Sequence, residues 1–279
     1  MKLGLGTVQF GQAYGVSNTG GQVSRAEAAA ILARAAQAGI MVLDTAANYG
    51  EAEKVLAALD TAPFRIVTKT GPVKNGVETV IARARRSVDM LNADTLLVHA
   101  AADLDEPGLW PALQQLKVEG VFRKIGISTY FADDPAAMAK RFRPDVMQLP
   151  FSLLDQRLLQ DGSLTRLKDL GVEIHARSLF LQGLMLMPPG DVPPHLQGAG
   201  PHLTKLRARL AAAGSTPLAA ALGFVLSRPE IDIALVGVTA RDELDEIIAA
   251  AALPLPAIDW SACAMDDERI LTPSLWNRP

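Results

Sequence analysis

Four side chains able to move or direct a proton each follow a short apolar run. Asp44 follows Ile40 to Leu43, Lys69 follows Phe64 to Val67 through Thr68, and His99 follows Thr95 to Val98. Tyr49 lies five residues past Asp44 and just before Gly50. Taken singly, each has an ordinary role: a helix cap, a solvated charge, a packed imidazole, a lid on the core. Together they suit proton transfer to or from an alcohol or carbonyl oxygen. A tyrosine hydroxyl has a pKa near 10, which makes it a poor proton carrier at neutrality. A lysine ammonium ~4 Å away, at an effective dielectric of ~20, favours the phenolate by ~4 kcal/mol. An aspartate beside that lysine keeps it charged, and a histidine can hydrogen-bond a carbonyl oxygen and fix its direction. Reducing a carbonyl also needs a hydride, which protein side chains do not supply. Ser128, Gln148 and Ser178 lie at the ends of three further apolar runs and are neutral groups able to hold a carboxamide such as that of nicotinamide.

These residues are useful only if one architecture brings them to one end. Strand-like runs are expected at Leu3 to Thr7, Ile40 to Leu43, Phe64 to Val67, Thr95 to Val98, Lys124 to Ile127, Val146 to Leu149, Val172 to Ala176 and Ile233 to Val236. Helical patterns follow them, the clearest at Arg25 to Ala38. There Ser24 stands as N-cap, with Glu27 at the capping-box spacing. Continuous apolar strands alternating with helices imply a parallel sheet covered on both faces. Eight such units imply an α/β fold, a (β/α)8 TIM barrel with its active site at the C-terminal ends of the strands. A doubly wound open sheet is the alternative, but Gly4-x-Gly6-x-x-Gln9 breaks its phosphate-loop fingerprint. With no composition shift along the chain, one domain is expected over 1–279. A short tail after Leu253, carrying Trp260 and Trp276, is expected to pack against it.

Composition narrows the function. The chain has 279 residues, 49% hydrophobic and 20% charged, with a net charge of −3. That charge balance leaves no footprint for nucleic acid. One cysteine, Cys263, excludes an internal disulfide, and His99, His175, His195 and His202 include no i, i+4 metal pair, so no metal is expected. The longest apolar stretch, Ile247 to Ile258, is broken by Pro254 and Pro256 and is far short of a membrane span. With no signal peptide evident in Met1 to Thr7, the expectation is a cytoplasmic protein with a small-molecule partner.

Leu43-Asp44-Thr45-Ala46-Ala47-Asn48-Tyr49-Gly50 resembles the segment that carries the catalytic Asp and Tyr of the aldo-keto reductase superfamily. Ile66 to Lys69, Leu96 to His99, Lys124 to Ser128, Met147 to Phe151 and Gln182 to Leu184 are similar to further segments of that family. The resemblance implies a nicotinamide cofactor across the barrel mouth and a carbonyl or sugar substrate. It makes Tyr49 the general acid or base, with Lys69 and Asp44 tuning it and His99 orienting the carbonyl. It implies cofactor contacts from Gly6, Thr7, Asp44, Ser128, Gln148, Arg177, Ser178, Gly237, Thr239 and Arg241. Three positions depart from the family pattern: Thr129 and Ser152 replace frequent asparagines, and Arg177 replaces an aromatic that stacks on the nicotinamide. At Gly237 to Leu244, Thr239 and Arg241 suit the 2′-phosphate of NADP at a helix N-terminus. Asp242 and Glu243 oppose it, so NADP is the expected cofactor and NAD the alternative. Two other functions compete: a cofactor-binding regulatory protein with little turnover, and a lyase using Lys69 as a Schiff base.

Overall fold

Alternation with a period of two in the strands separates two apolar layers. Val42, Val67, Leu97 and Val146 form one small cluster with Ile233. Their neighbours Leu43, Ile66, Leu96, Val98 and Met147 belong to the main core. The computed structural model, which describes residues 1–276, accounts for the split. The strands are β1 (Leu3–Gly6), β2 (Val42–Asp44), β3 (Arg65–Lys69), β4 (Thr95–Val98), β5 (Lys124–Ser128), β6 (Val146–Pro150), β7 (Glu173–Arg177) and β8 (Ile233–Gly237). They close into an all-parallel barrel in sequence order, with β1 pairing both β2 and β8. The small cluster fills the interior, and the main core lies between the strands and the surrounding helices. The eight-unit α/β barrel expected from the sequence is therefore the fold observed.

Most strands run one or two residues beyond the apolar stretch that marks them. β2 ends on Asp44, β3 on Lys69, β5 on Ser128 and β7 on Arg177. A parallel ladder continues for as long as its backbone groups find partners, whatever the side chain. Asp44 and Lys69 have the same parity as Val42 and Val67, so the pleat turns both inward at the mouth.

The helix Arg25–Gln37 begins at Ser24, whose hydroxyl accepts from Glu27 N at 3.2 Å. The Tyr49 turn is held by backbone contact. Gly11 ends a short helix (Val8–Gly11), and its carbonyl accepts from Glu51 N at 3.2 Å. A Cβ at Gly11 would stand 1.8 Å from Tyr49 O and 2.4 Å from Ala52 N, and one at Gly50 (φ +54°) would stand 2.3 Å from Gly11 O. No side chain fits between these segments. On the far side, buried Glu53 accepts from Thr68 Oγ1 at 2.7 Å and pairs with Arg83, tying the helix Ala52–Ala57 to β3.

Residues after Leu253 contact the barrel. Trp260 lies 5.7 Å from the Phe224 ring and accepts at its carbonyl from Gln156 Nε2, and Met265 N donates to Leu154 O. Residues 277–279, the end of the expected domain span, lie outside the described residues. Among the described residues no single helix is long and apolar enough to cross a membrane.

Gly11→Ala is expected to force the Tyr49 turn away from β1. The overpacking should cost about 1–3 kcal/mol of unfolding free energy in a denaturant titration, with a loss of turnover out of proportion to it. Unchanged stability would show that the contact yields freely.

Candidate active site

Lys69 is the centre of the mouth, only 1% exposed. Its Nζ donates to Asp44 Oδ2 at 2.6 Å, Thr45 O at 3.0 Å and Tyr49 Oη at 3.1 Å. Each of its three protons thus has an acceptor. Asp44 is 4% exposed, and its other oxygen, Oδ1, accepts from Gln148 Nε2 at 2.7 Å. The backbone from Thr45 to Ala47 extends the β3 contact, with Thr45 N donating to Val67 O and Ala47 N to Lys69 O. This delivers Tyr49 to the ammonium. Burial is the largest single influence on the lysine and works against its charge. Asp44 and then Tyr49 together outweigh it, and the Lys69 pKa ends above its ordinary value. A Schiff-base lysine must shed its proton to attack, so this arrangement opposes the lyase alternative.

His99 presents its ring edge-on to Tyr49, with centroids 5.7 Å apart and planes at 83°. Burial pushes its pKa down to about 4; Lys69 and Arg177 add to the effect and Asp44 opposes it. The imidazole is therefore neutral at pH 7, able to direct a carbonyl oxygen without adding charge. Its Nδ1 is buried with no hydrogen-bond partner.

On the other side of the mouth, Ser128 and Gln148 are register partners on β5 and β6. With Nε2 committed to Asp44, Gln148 keeps its carbonyl oxygen to accept from a carboxamide, and Ser128 offers a hydroxyl beside it. The buried Thr129 Oγ1 has no partner. Arg177 is half-buried: Nη2 donates to Thr129 O at 3.0 Å and Nη1 to Ser178 Oγ at 3.3 Å. Its guanidinium carbon lies 4.3 Å from the centre of the Tyr130 ring. Ser178, Leu181 and Gln182 all have positive φ, which marks the turn after β7 as strained. Gln182 O accepts from Val16 N at 3.1 Å, tying that turn to the loop after β1.

Other expected contacts lie elsewhere. Thr7 is 0% exposed, and both its N and its Oγ1 donate to Asp44 O at 2.9 Å, so it braces the site from beneath. Gly6 pairs with both Asp44 and Gly237 at the ladder ends. Gly237 is exposed and lies against the Gln9 amide, whose Nε2 a Cβ would meet at 2.7 Å. Thr239 N and Oγ1 donate to the Glu243 carboxylate at 2.6 and 3.0 Å. Arg241 N donates to Glu27 Oε1 at 2.6 Å, and Arg241 Nε lies 3.7 Å from Asp245.

Gln9, Glu27 and Tyr130 contact expected site residues without having been among them. Tyr130, two residues past Ser128, had a signal in its position beyond a strand end. Glu27 had none, because its spacing from Ser24 already explained it as a cap. Among the described residues no three His, Cys, Asp or Glu side chains group as a metal site.

The His99 shift carries a pH signature. Its pKa falls on folding, so between pH 6.5 and about 4 the unfolded chain binds more protons and the folded state loses stability as pH drops. Wild type is expected to lose about 2 kcal/mol more than His99→Gln between pH 7 and pH 4.5 in urea titrations. Equal losses would contradict a buried neutral imidazole.

Comparison with known proteins agrees with this geometry. The sequence pattern described as the aldo/keto reductase family matches residues 2–265. An L-galactose dehydrogenase of Arabidopsis thaliana is 29% identical, over 89% of this chain and 83% of the relative. A D-threo-aldose 1-dehydrogenase of Pseudomonas sp. is 27% identical, over 90% and 92%. Among solved structures, the holo form of an aldo-keto reductase from Bacillus halodurans superposes with a TM-score of 0.74 at 21% identity, covering 94% of this chain and 90% of that one. A barrel mouth that joins Asp44, Lys69, Tyr49 and His99, and a sequence match that runs from β1 into the tail, lead to one conclusion: this chain belongs to the aldo/keto reductase family.

Proposed function

We propose that this NAD(P)-dependent oxidoreductase interconverts a small aldehyde, ketone or sugar carbonyl and its alcohol, with Tyr49 as the proton carrier. The hydrogen bond from Lys69 Nζ to Tyr49 Oη carries this reading. The ammonium donates to the phenol oxygen, so the phenol proton is free to point out of the mouth toward substrate. As that proton leaves, the negative charge develops on an atom already facing a cation. Asp44 holds the ammonium in place and charged, and neutral His99 directs the substrate oxygen at Tyr49. The nicotinamide, when bound, supplies the hydride. The Ser128 hydroxyl, as donor, and the free oxygen of Gln148, as acceptor, fit its carboxamide.

The adenine end favours one form of the cofactor. Thr239 and Arg241 suit a 2′-phosphate by residue type, which is why the sequence leans to NADP. In the fold, Thr239 N and Oγ1 are taken by Glu243 and Arg241 N by Glu27. A 2′-phosphate would have to displace two carboxylates and then sit beside them. A ribose hydroxyl can donate to either. These contacts support NAD, the alternative in the sequence reading.

Two measurements test this. A spectrophotometric screen of aldehydes, and of sugars in the oxidative direction, should find turnover that Tyr49→Phe lowers by about 10²–10⁴-fold. Reduced-cofactor affinity should stay within a few fold. Cofactor binding with no turnover across the panel would favour the regulatory alternative. In fluorescence titrations NAD should bind at least about tenfold more tightly than NADP, and Glu243→Gln should narrow the gap, since removing one charge ~4 Å from a phosphate relieves about 1–4 kcal/mol. A wild type that prefers NADP would overturn the cofactor assignment.

A further inference from the structure

β7 ends on a cation that the proton-transfer group does not use. Arg177 points into the mouth with the parity of His175 and Glu173, and it is held by Thr129 O, Ser178 Oγ and the face of Tyr130. It pairs with no carboxylate among the described residues. Lys69 is paired with Asp44 at 2.6 Å and His99 is neutral, so Arg177 is the cation in this cluster that lacks a carboxylate partner.

Its location decides what that charge acts on. Arg177 is the register partner of Pro150 on β6, yet its Nη2 reaches Thr129 O at the end of β5. The guanidinium thus spans the β6 corner beside Ser128 and Gln148. A nicotinamide ring whose carboxamide those two residues would hold would lie beside Arg177; the oxidised ring carries a positive charge and the reduced ring none. Two unit charges about 5 Å apart repel by roughly 1–3 kcal/mol for effective dielectrics between water and a protein surface. Only the oxidised form feels this.

We infer that Arg177 makes the site hold reduced nicotinamide more tightly than oxidised. This rests on the nicotinamide-dependent reading above and adds a redox-state preference to it. The same residue also staples β7 to the end of β5, so the test must separate charge from architecture.

Dissociation constants for oxidised and reduced cofactor, measured by fluorescence titration or calorimetry without substrate, make that separation. Wild type should bind the reduced form at least about tenfold more tightly. Arg177→Gln, which keeps a donor for Thr129 O, should cut that ratio by about tenfold or more, chiefly through tighter binding of the oxidised form. Arg177→Lys should restore the ratio, and Arg177→Met serves as a second neutral variant if the glutamine protein does not fold. If the neutral variants bind both forms more weakly by the same factor, the residue is only a staple and the inference falls while the proposed function stands. If wild type binds neither form, both fall.

Discussion

A lysine ammonium at the end of β3, almost wholly removed from water, sets the terms for the rest of this structure. Isolating such a charge costs several kcal/mol unless its protons find acceptors, and three acceptors must then come from the one stretch 44–49. Asp44 comes from the end of β2, Thr45 O from the turn beyond it and Tyr49 Oη from the next turn. The aspartate in turn needs Gln148 from β6 to satisfy its second oxygen. A pair of strands cannot meet these demands. A closed barrel can, because its interior parity brings strand ends from opposite sides of the ring to one level. The Gly11–Gly50 contact serves the same end, since it leaves the Tyr49 turn no room to drift from the ammonium.

Around that centre the mouth is arranged by charge. The ion pair is neutral as a unit, and burial with help from Lys69 and Arg177 keeps the imidazole of His99 neutral. Under the proposed function, proton transfer through Tyr49 would take place among dipoles already oriented toward the developing charge, with little solvent to reorganise. Arg177 is the exception, a cation with no carboxylate paired to it among the described residues.

The β8 end shows the opposite sign. The helix Arg241–Ala251 presents backbone donors that ordinarily attract an anion. Here one carboxylate from its own first turn and another from the helix Arg25–Gln37 already occupy them. The β7 and β8 ends thus differ: Arg177 stands without a carboxylate partner among the described residues, whereas the backbone donors at β8 are already taken by carboxylates.

The fold class and the proton-transfer group were legible in the sequence for one reason: both depend on local pattern. Apolar runs alternating with helices define parallel strands, and the polar residues just after each run mark the mouth, so Asp44, Lys69 and His99 could be named without coordinates. What the run could not tell was where pairing stops. The ladder carries on through Asp44, Lys69, Ser128 and Arg177, and this fixes their direction. Partner choice lay further out of reach. Glu27 looks like a cap for its own helix and instead binds the backbone of Arg241, 214 positions away. Gln148 looks like a carboxamide ligand and also anchors Asp44. Thr7 looks like a cofactor contact and lies under the site. Sequence spacing determines which residues share a strand or a helix turn. Which donor meets which acceptor across the barrel is decided only when closure brings distant strand ends within ~3 Å, the range at which hydrogen bonds form.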